Sequence, residues 1–399
     1  MRKIGLAGAA ICALIQPAFA RTISVAPGEG GQERLQEALI SAEPGDVVEL
    51  SAGRFLLTDG LSLDVDKVTL KGQGAAQTIL DFSNQQGAGE GLLVTSDDVV
   101  LREFAVENSK GDGIKSKGAD RIIYHQLRVE WTGGPKPTNG AYGIYPVESK
   151  NVLIDSVLVR GASDAGIYVG QSDNIIVRES TVLENVAGIE IENSYNADVH
   201  DNIATKNTGG VLVFDLPNLP QMGGHNVRIF DNIIVENMTP NFAPKGNIVA
   251  NVPTGTGIMV MANRNVEIFD NILSENGTTN IMIVGYRFAY TDGKYDPLPQ
   301  DIMVWDNQHG RAGWDPQFRG SKEIAAAMGG NFPPIFWDGA GGPEKSPIIG
   351  DNVDAISLGL SAISADPASA RPVPLAHTAL RMARLPSIKM PEAMEAAIR

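Results

Sequence analysis

Residues 166–187 read GIYVGQSDNIIVRESTVLENVA and residues 188–209 read GIEIENSYNADVHDNIATKNTG, the same phrase written twice. Each copy holds short apolar runs separated by Asn, Asp, Ser and Glu. Strands this short bury nothing alone; stacked on copies of themselves they close a continuous core, so a fixed period of this length marks a solenoid. Working outward, Gly-apolar starts fall at Gly91, Gly113, Gly143, Gly166, Gly188, Gly210 and Gly257, with Asn280 in the same role, and the commonest gap is 22 residues. The predicted fold is all-β: a single solenoid of three-stranded coils, with an N-terminal helical cap and a C-terminal capping extension.

The registers inside the coils agree. Asn174, Asn196, Asn226 and Asn265 precede the second strand of each coil. Ser180, Asn202, Asn232 and Asn271 follow it, and Asn185, Asn207, Asn237 and Asn276 come later still. Asparagine accepts left-handed backbone angles and stacked amides bond along an axis, so these positions are read as scaffold.

The ends of the chain read differently. Residues 1–20, MRKIGLAGAAICALIQPAFA, have two basic residues, a short apolar run and Ala18-Phe19-Ala20, the pattern of a cleaved secretory leader. A periplasmic or secreted location without membrane insertion is therefore expected. The one cysteine, Cys12, lies in that leader, so neither disulfide nor thiol chemistry is expected of the remainder. The net charge is -15, and the leader would remove Arg2 and Lys3 as well. An acidic surface argues against nucleic acid or anionic membrane as partner, and weighs against a polyanionic polymer unless a local basic patch overrides it. Residues 21–60 are expected to form the cap, with a helix between Gly31 and Pro44, and 61–310 the β-helix. Residues 311–399 are expected to form a partly irregular C-terminal cap and tail in which Trp314, Phe332 and Trp337 cover the last rung.

Departures from the period are informative. The 131–140, 216–224 and 238–256 segments are insertions beside first strands, and inserted loops of a solenoid gather on one side and carry function. They would wall a groove. If Ile114, Ile144, Ile167, Ile189 and Val211 point inward, alternation puts Lys115, Tyr145, Tyr168, Glu190, Leu212 and Met259 outward in one column. Lys117, Val147, Gly170, Glu192, Phe214 and Met261 form a second.

Lys115, Tyr145, Tyr168 and Glu190 are the candidate catalytic residues. Such a row suits proton abstraction beside a carboxylate: lysine neutralises, tyrosine exchanges protons, and glutamate positions them. Lys117, Trp131, Lys136, Asn139, Gln171, Glu192, Asp215 and Lys245 are expected to contact substrate. Glu190, Glu192 and Asp215 offer a second reading, a glycosidase acid and base, which Asp112 and Asp164 could join. Asp164, Asp173 or Asp215 could hold calcium, but no acidic spacing repeats like a calcium loop, so no metal or cofactor is expected. Exposed Leu212, Phe214, Met259 and Met261 would favour a third reading, a non-catalytic periplasmic scaffold that docks a protein partner.

The segments GDGIKSKG, RVEWTGGPKPTNGAYGIYPV, GASDAGIYVGQS, NVAGIEIENS and GVLVFDLPNLP resemble the bacterial exported parallel β-helix repeat proteins of the pectate-lyase-like superfamily. The opening cap is similar to theirs as well. That resemblance implies a right-handed parallel β-helix; the expectation of a carbohydrate-active protein binding a uronate-containing polysaccharide in the first-strand groove, with lyase or C5-epimerase chemistry, comes from the residue row. The chain lacks the Asp-Pro-His-Asp of alginate epimerases and the Gly-His-Gly with Arg-Ile-Lys of polygalacturonases.

Overall fold

The computed structural model describes residues 20–87, 89–378 and 384–399, so the expected leader, but for Ala20, lies outside the described residues. Among the described residues the strands form three sheets of 12, 12 and 10 strands. Each turn of the chain gives one strand to each sheet. Ala165–Gly170 lies in the first, Asp173–Arg178 in the second and Thr181–Leu183 in the third, after which Ala187–Glu192 pairs parallel onto Ala165–Gly170. The chain is thus an all-β parallel β-helix. Ile114, Ile144, Ile167, Ile189 and Val211 are fully buried and continue one another along the axis, as alternation requires.

The three asparagine registers have two different physical roles. Asn174, Asn196, Asn226 and Asn265 all have left-handed backbones, with φ between 50° and 60°, which turns the chain out of the corner. The other two registers are buried amide ladders. Asn185 donates to Asn207 (3.1 Å), Asn207 to Asn237 (3.1 Å) and Asn237 to Asn276 (3.2 Å); Asn202 donates to Asn232 (3.0 Å), Asn232 to Asn271 (2.9 Å) and Asn271 to Asn307 (2.9 Å). Each amide also bonds backbone groups at the bend, pairing polar atoms that no water reaches.

Both ends of the coil are covered. Helix Gly31–Ser41 lays buried Leu35, Ala38 and Leu39 against the first rung, its apolar spacing being that of one helical face. Its Gln32 and Gln36 accept the backbone N–H groups of Thr58 (2.7 Å) and Ser62 (2.9 Å), donors at the open strand edge.

The coil extends past both expected boundaries. Thr22–Val25, Val47–Leu50 and Gly53–Leu56 already belong to the sheets, and Ile335–Trp337 and Ala355–Ser357 continue the first sheet. The repeat is invisible there because long connections, 285–299 and 310–334, separate its strands. Trp337 therefore fills the coil interior rather than covering it, and Trp314 lies half-buried beneath Arg311 at 4.1 Å.

Residues 384–399 are an ordered strap rather than an irregular tail. Met390 and Met394 bury themselves on Ile123, Leu153 and Ile176 of the second sheet. Arg178 pairs with Glu395 (2.8 Å) and Arg102 donates to the Ala397 carbonyl (2.7 Å), so the strap runs back towards the N-terminal rungs. Beside it His200, Phe230, Phe269 and Trp305 stack in a ladder, with centroids 4.8, 5.0 and 4.7 Å apart.

Candidate functional site

The two outward columns exist as alternation places them. Lys115 pairs with Tyr145, Tyr168 with Glu190, Glu190 with Leu212 and Leu212 with Met259; Gly170 pairs with Glu192 and Glu192 with Phe214. Parallel strands hold these neighbours about 4.8 Å apart. Side chains with no sequence proximity thereby become one surface.

A third tyrosine joins the row, against strict alternation. A Cβ on Gly143 would lie 2.2 Å from the buried Val159 Cγ1, so Gly143 and Ile144 both face inward. The alternation breaks between them, and Tyr142 emerges outward. Its ring lies 4.6 Å from that of Tyr145 and 4.4 Å from that of Tyr168. The clue in the sequence was the Tyr-Gly-Ile order at 142–144, one residue ahead of every Gly-apolar start.

Tyr168 leans along its strand across Gly170, where a Cβ would come within 2.4 Å of the ring, and donates to Glu192 at 2.6 Å. Glycine in the second column is thus what lets tyrosine and glutamate of adjacent rungs meet. Lys115 is engaged on three sides. It pairs with Glu90 (3.0 Å), approaches Asp112 (3.8 Å) and stands 4.9 Å over the Tyr145 ring. Glu90, which sequence reasoning missed, lies on the preceding rung.

The acidic groups are more numerous than the lysine can balance. Burial pushes the Asp112 carboxyl up to about 6, opposed by the Lys115 charge. Burial also lifts Asp164 to about 7, with the Asn247 hydrogen bond opposing and Asp112 adding to the rise. Glu192 reaches about 7 through burial, despite the Tyr168 hydroxyl. Burial, with Glu192 and Asp164 nearby, drives Glu190 far above the carboxylate range, and its Oε2 is buried without a hydrogen-bond partner among the described residues. A neutral acid is the form such a site tolerates. For the same reasons the tyrosines stay protonated: Tyr145 is pushed up to about 12, chiefly by burial, and Tyr142 and Tyr168 well above their ordinary value.

The 238–256 loop is folded down. Its Val249 and Val252 pack on Ala165, Ala187 and Leu212, a stretch where the sheet carries small side chains. Asn241 ties the loop to itself through the Val249 and Val252 carbonyls (2.8 and 3.0 Å), and Asn247 donates to Asp164 (3.1 Å). With the loop in place Tyr168 and Glu190 are only 5% and 1% exposed, while Asp112, Lys115, Tyr142 and Tyr145 remain partly exposed. The accessible half of the row is therefore its N-terminal half.

Several expected contact residues are elsewhere. Trp131 is buried, donates from its indole to the Ser109 carbonyl (2.7 Å) and belongs to the main hydrophobic core of the coil. Asn139 clamps that loop through the Gly134 and Gly161 carbonyls (2.9 and 2.7 Å). Gln171, with φ 50°, turns the chain out of the first sheet. Asp215 is buried at the edge of the sheet, where its side chain accepts the Gly224 N–H (2.8 Å), and it lines a separate polar cavity of about 500 Å³ with Arg264, Lys294 and Asp296. Lys117 pairs loosely with Glu148 at 3.8 Å, and Lys136 and Lys245 are exposed on their loops. Leu212, Phe214, Met259 and Met261, whose exposure turned on whether the 238–256 loop is open or closed, are buried beneath the loop and the C-terminal residues. Among the described residues no cluster of His, Cys, Asp and Glu has the geometry to hold a metal, and no helix is long and apolar enough to cross a membrane.

A family model described as right handed beta helix region matches residues 67–221. No curated protein matches the chain in sequence. Among solved structures, the A-module of mannuronan C-5 epimerase AlgE4 from Azotobacter vinelandii superposes with a TM-score of 0.50 at 12% identity, over 80% of this chain and 90% of that one. The AlgE6 A-module from the same organism gives 0.51 at 14% identity over 80% and 88%. The polygalacturonase of Erwinia carotovora ssp. carotovora gives 0.50 at 15% identity over 77% and 88%. At such identities these likenesses concern the fold. With its three sheets stacked coil on coil and the family model matching 67–221, the chain has the right-handed parallel β-helix fold.

Proposed function

We propose that the protein binds a carbohydrate polymer along the outer face of the first sheet and hydrolyses it by carboxyl general acid–base catalysis. The observation that carries this reading is the gathering of Asp112, Asp164, Glu190 and Glu192 beside three packed tyrosines, with every one of these carboxyls raised by burial above the ordinary carboxylate range. An acid must hold its proton near working pH to protonate a leaving oxygen, and tyrosine faces suit the C–H faces of sugar rings. That the matched epimerase and polygalacturonase folds carry names of polysaccharide-acting enzymes is consistent with this reading.

Asp112 and Asp164 are the acid–base pair. They flank Tyr142 and lie two rungs apart, roughly 10 Å between backbones at the spacing of parallel strands, a span that leaves room for a water opposite the scissile bond. Asp164, the higher of the two, is the acid; Asp112, lowered by Lys115 and more accessible, is the base. Tyr142 and Tyr145 form the platform between them.

Lyase or epimerase chemistry is less well supported by this geometry. It needs a free positive charge for the uronate carboxylate and a proton-accepting side chain, whereas Lys115 is engaged by Glu90 and Asp112 and the tyrosines hold their protons. The acidic floor also favours a neutral glycan. The scaffold reading loses its motive, because the apolar groups that prompted it are packed. Export to the periplasm or medium is proposed on the leader pattern alone.

The test is release of reducing ends from a panel of neutral and uronate polysaccharides. Asp112→Asn and Asp164→Asn should each lower turnover by about 10²- to 10⁴-fold with melting unchanged. Unsaturated, ultraviolet-absorbing product from a uronate polymer would overturn hydrolysis in favour of elimination, and full activity in both variants would remove the pair.

A further inference from the structure

A cavity of about 210 Å³ opens on the same outer face, on the C-terminal side of Glu192. Its floor is the methionine run Met259, Met261 and Met282, and its walls include Val252 from the folded loop with Phe336 and Leu360 from the C-terminal rungs. Phe214, one rung from Glu192 in the same column, joins it to the acidic row.

Of the charged groups of the wall, Arg287 and Asp338 are already engaged with each other, while Arg319 stands at the rim with its side chain 76% exposed. Arg287 donates to Asp338 (2.9 Å) and to the carbonyls of Leu360, Ala362 and Ile363; Arg319 reaches outward to Asp366. A sugar hydroxyl over the methionine floor would lose its water and find no partner there, at a cost of about 1–3 kcal/mol. An aromatic ring would lose nothing, and an apolar cavity of about 150 Å³ is known to accept benzene. At the mouth Phe288 is 40% exposed, an aromatic edge against which an entering aryl ring can pack. Methionine linings adapt to the shape of what they hold.

We infer that this cavity is a subsite for an aryl substituent carried by the glycan that lies on the acidic row. The assignment to a glycan rests on the function proposed above; the aryl preference rests on the cavity itself.

Benzyl alcohol titrated into the full chain by calorimetry is expected to bind one site. Val284→Trp, which fills the cavity from its partly exposed end, should weaken that binding by about tenfold or more. A 4-nitrophenyl-capped oligosaccharide should bind about tenfold more tightly than the uncapped sugar, and Val284→Trp should abolish the difference. Should Val284→Trp melt early, Phe288→Ala at the exposed rim carries the comparison, and the capped preference must fall. No binding of benzyl alcohol, equal binding to folded Val284→Trp, or equal binding of capped and uncapped sugar would each overturn the subsite. Failure of the catalytic reading shows separately, as activity retained in Asp112→Asn, and leaves the benzyl alcohol titration untouched.

Discussion

Replacing Glu192 with glutamine should make the protein more stable at alkaline pH, the reverse of what loss of a hydrogen-bonded side chain usually does. On folding, burial lifts the Glu192 carboxyl from 4.5 to about 7. The folded state therefore binds this proton more tightly than the unfolded chain. Stability from it is fully present below about pH 4.5 and is lost as pH rises through about 7. The loss is on the order of 3 kcal/mol, the difference between the two affinities. Glutamine cannot ionise, and its amide oxygen can still accept the Tyr168 hydroxyl that Glu192 accepts at 2.6 Å. It also removes a charge that repels Glu190. Urea unfolding followed by circular dichroism, at about pH 4.5 and about pH 8.5, would measure the effect. The variant should match the parent in acid and exceed it by roughly 2–4 kcal/mol in base. If Glu192→Gln gains nothing in base, or keeps the parent's full pH slope, the shielded acidic cluster is not as described.

Asn207→Ala should destabilise the coil by roughly 3–5 kcal/mol in urea melts, because it strands Asn185, Asn237 and the Val182 carbonyl, all buried partners of its amide; a loss under about 1 kcal/mol would show that the ladder is not stabilising. Gly170→Ala should swing the Tyr168 ring away from Glu192, costing roughly 1–2 kcal/mol, since its methyl would occupy the space of the ring. In a Tyr168→Ala background the same methyl should cost nothing, and an equal cost in both backgrounds would place the strain elsewhere.

The period of 22, the inward isoleucines and the outward columns were legible in the sequence because a β-helix repeats one local geometry, and each coil states its own alternation. Lys115, Tyr145, Tyr168 and Glu190 could be placed on one face for that reason. Tyr142 was missed because simple alternation from Ile144 points it inward, and only the packing of Gly143 against Val159 of another strand shows that the alternation breaks there. The roles of Trp131 and Asn139 were misjudged because an inserted loop has no period, and whether its side chains reach outward or stabilise the loop is settled only by what packs beneath them. The C-terminal strap escaped notice for a similar reason. Its Met390 and Met394 look unremarkable until the second sheet offers Ile123, Leu153 and Ile176.

Fold and face were thus local properties, written once per coil and read from residue spacing. The state of the site was not local. Whether Leu212 and Met259 meet water, whether Glu190 keeps its proton, and whether Lys115 is free to hold a substrate anion all depend on groups far away in the chain: Val249 and Asn247 in the folded loop, Glu90 on the preceding rung, and the C-terminal rungs over the methionines. Burial and charge pairing are sums over everything within a few ångströms, so only the assembled chain could decide them.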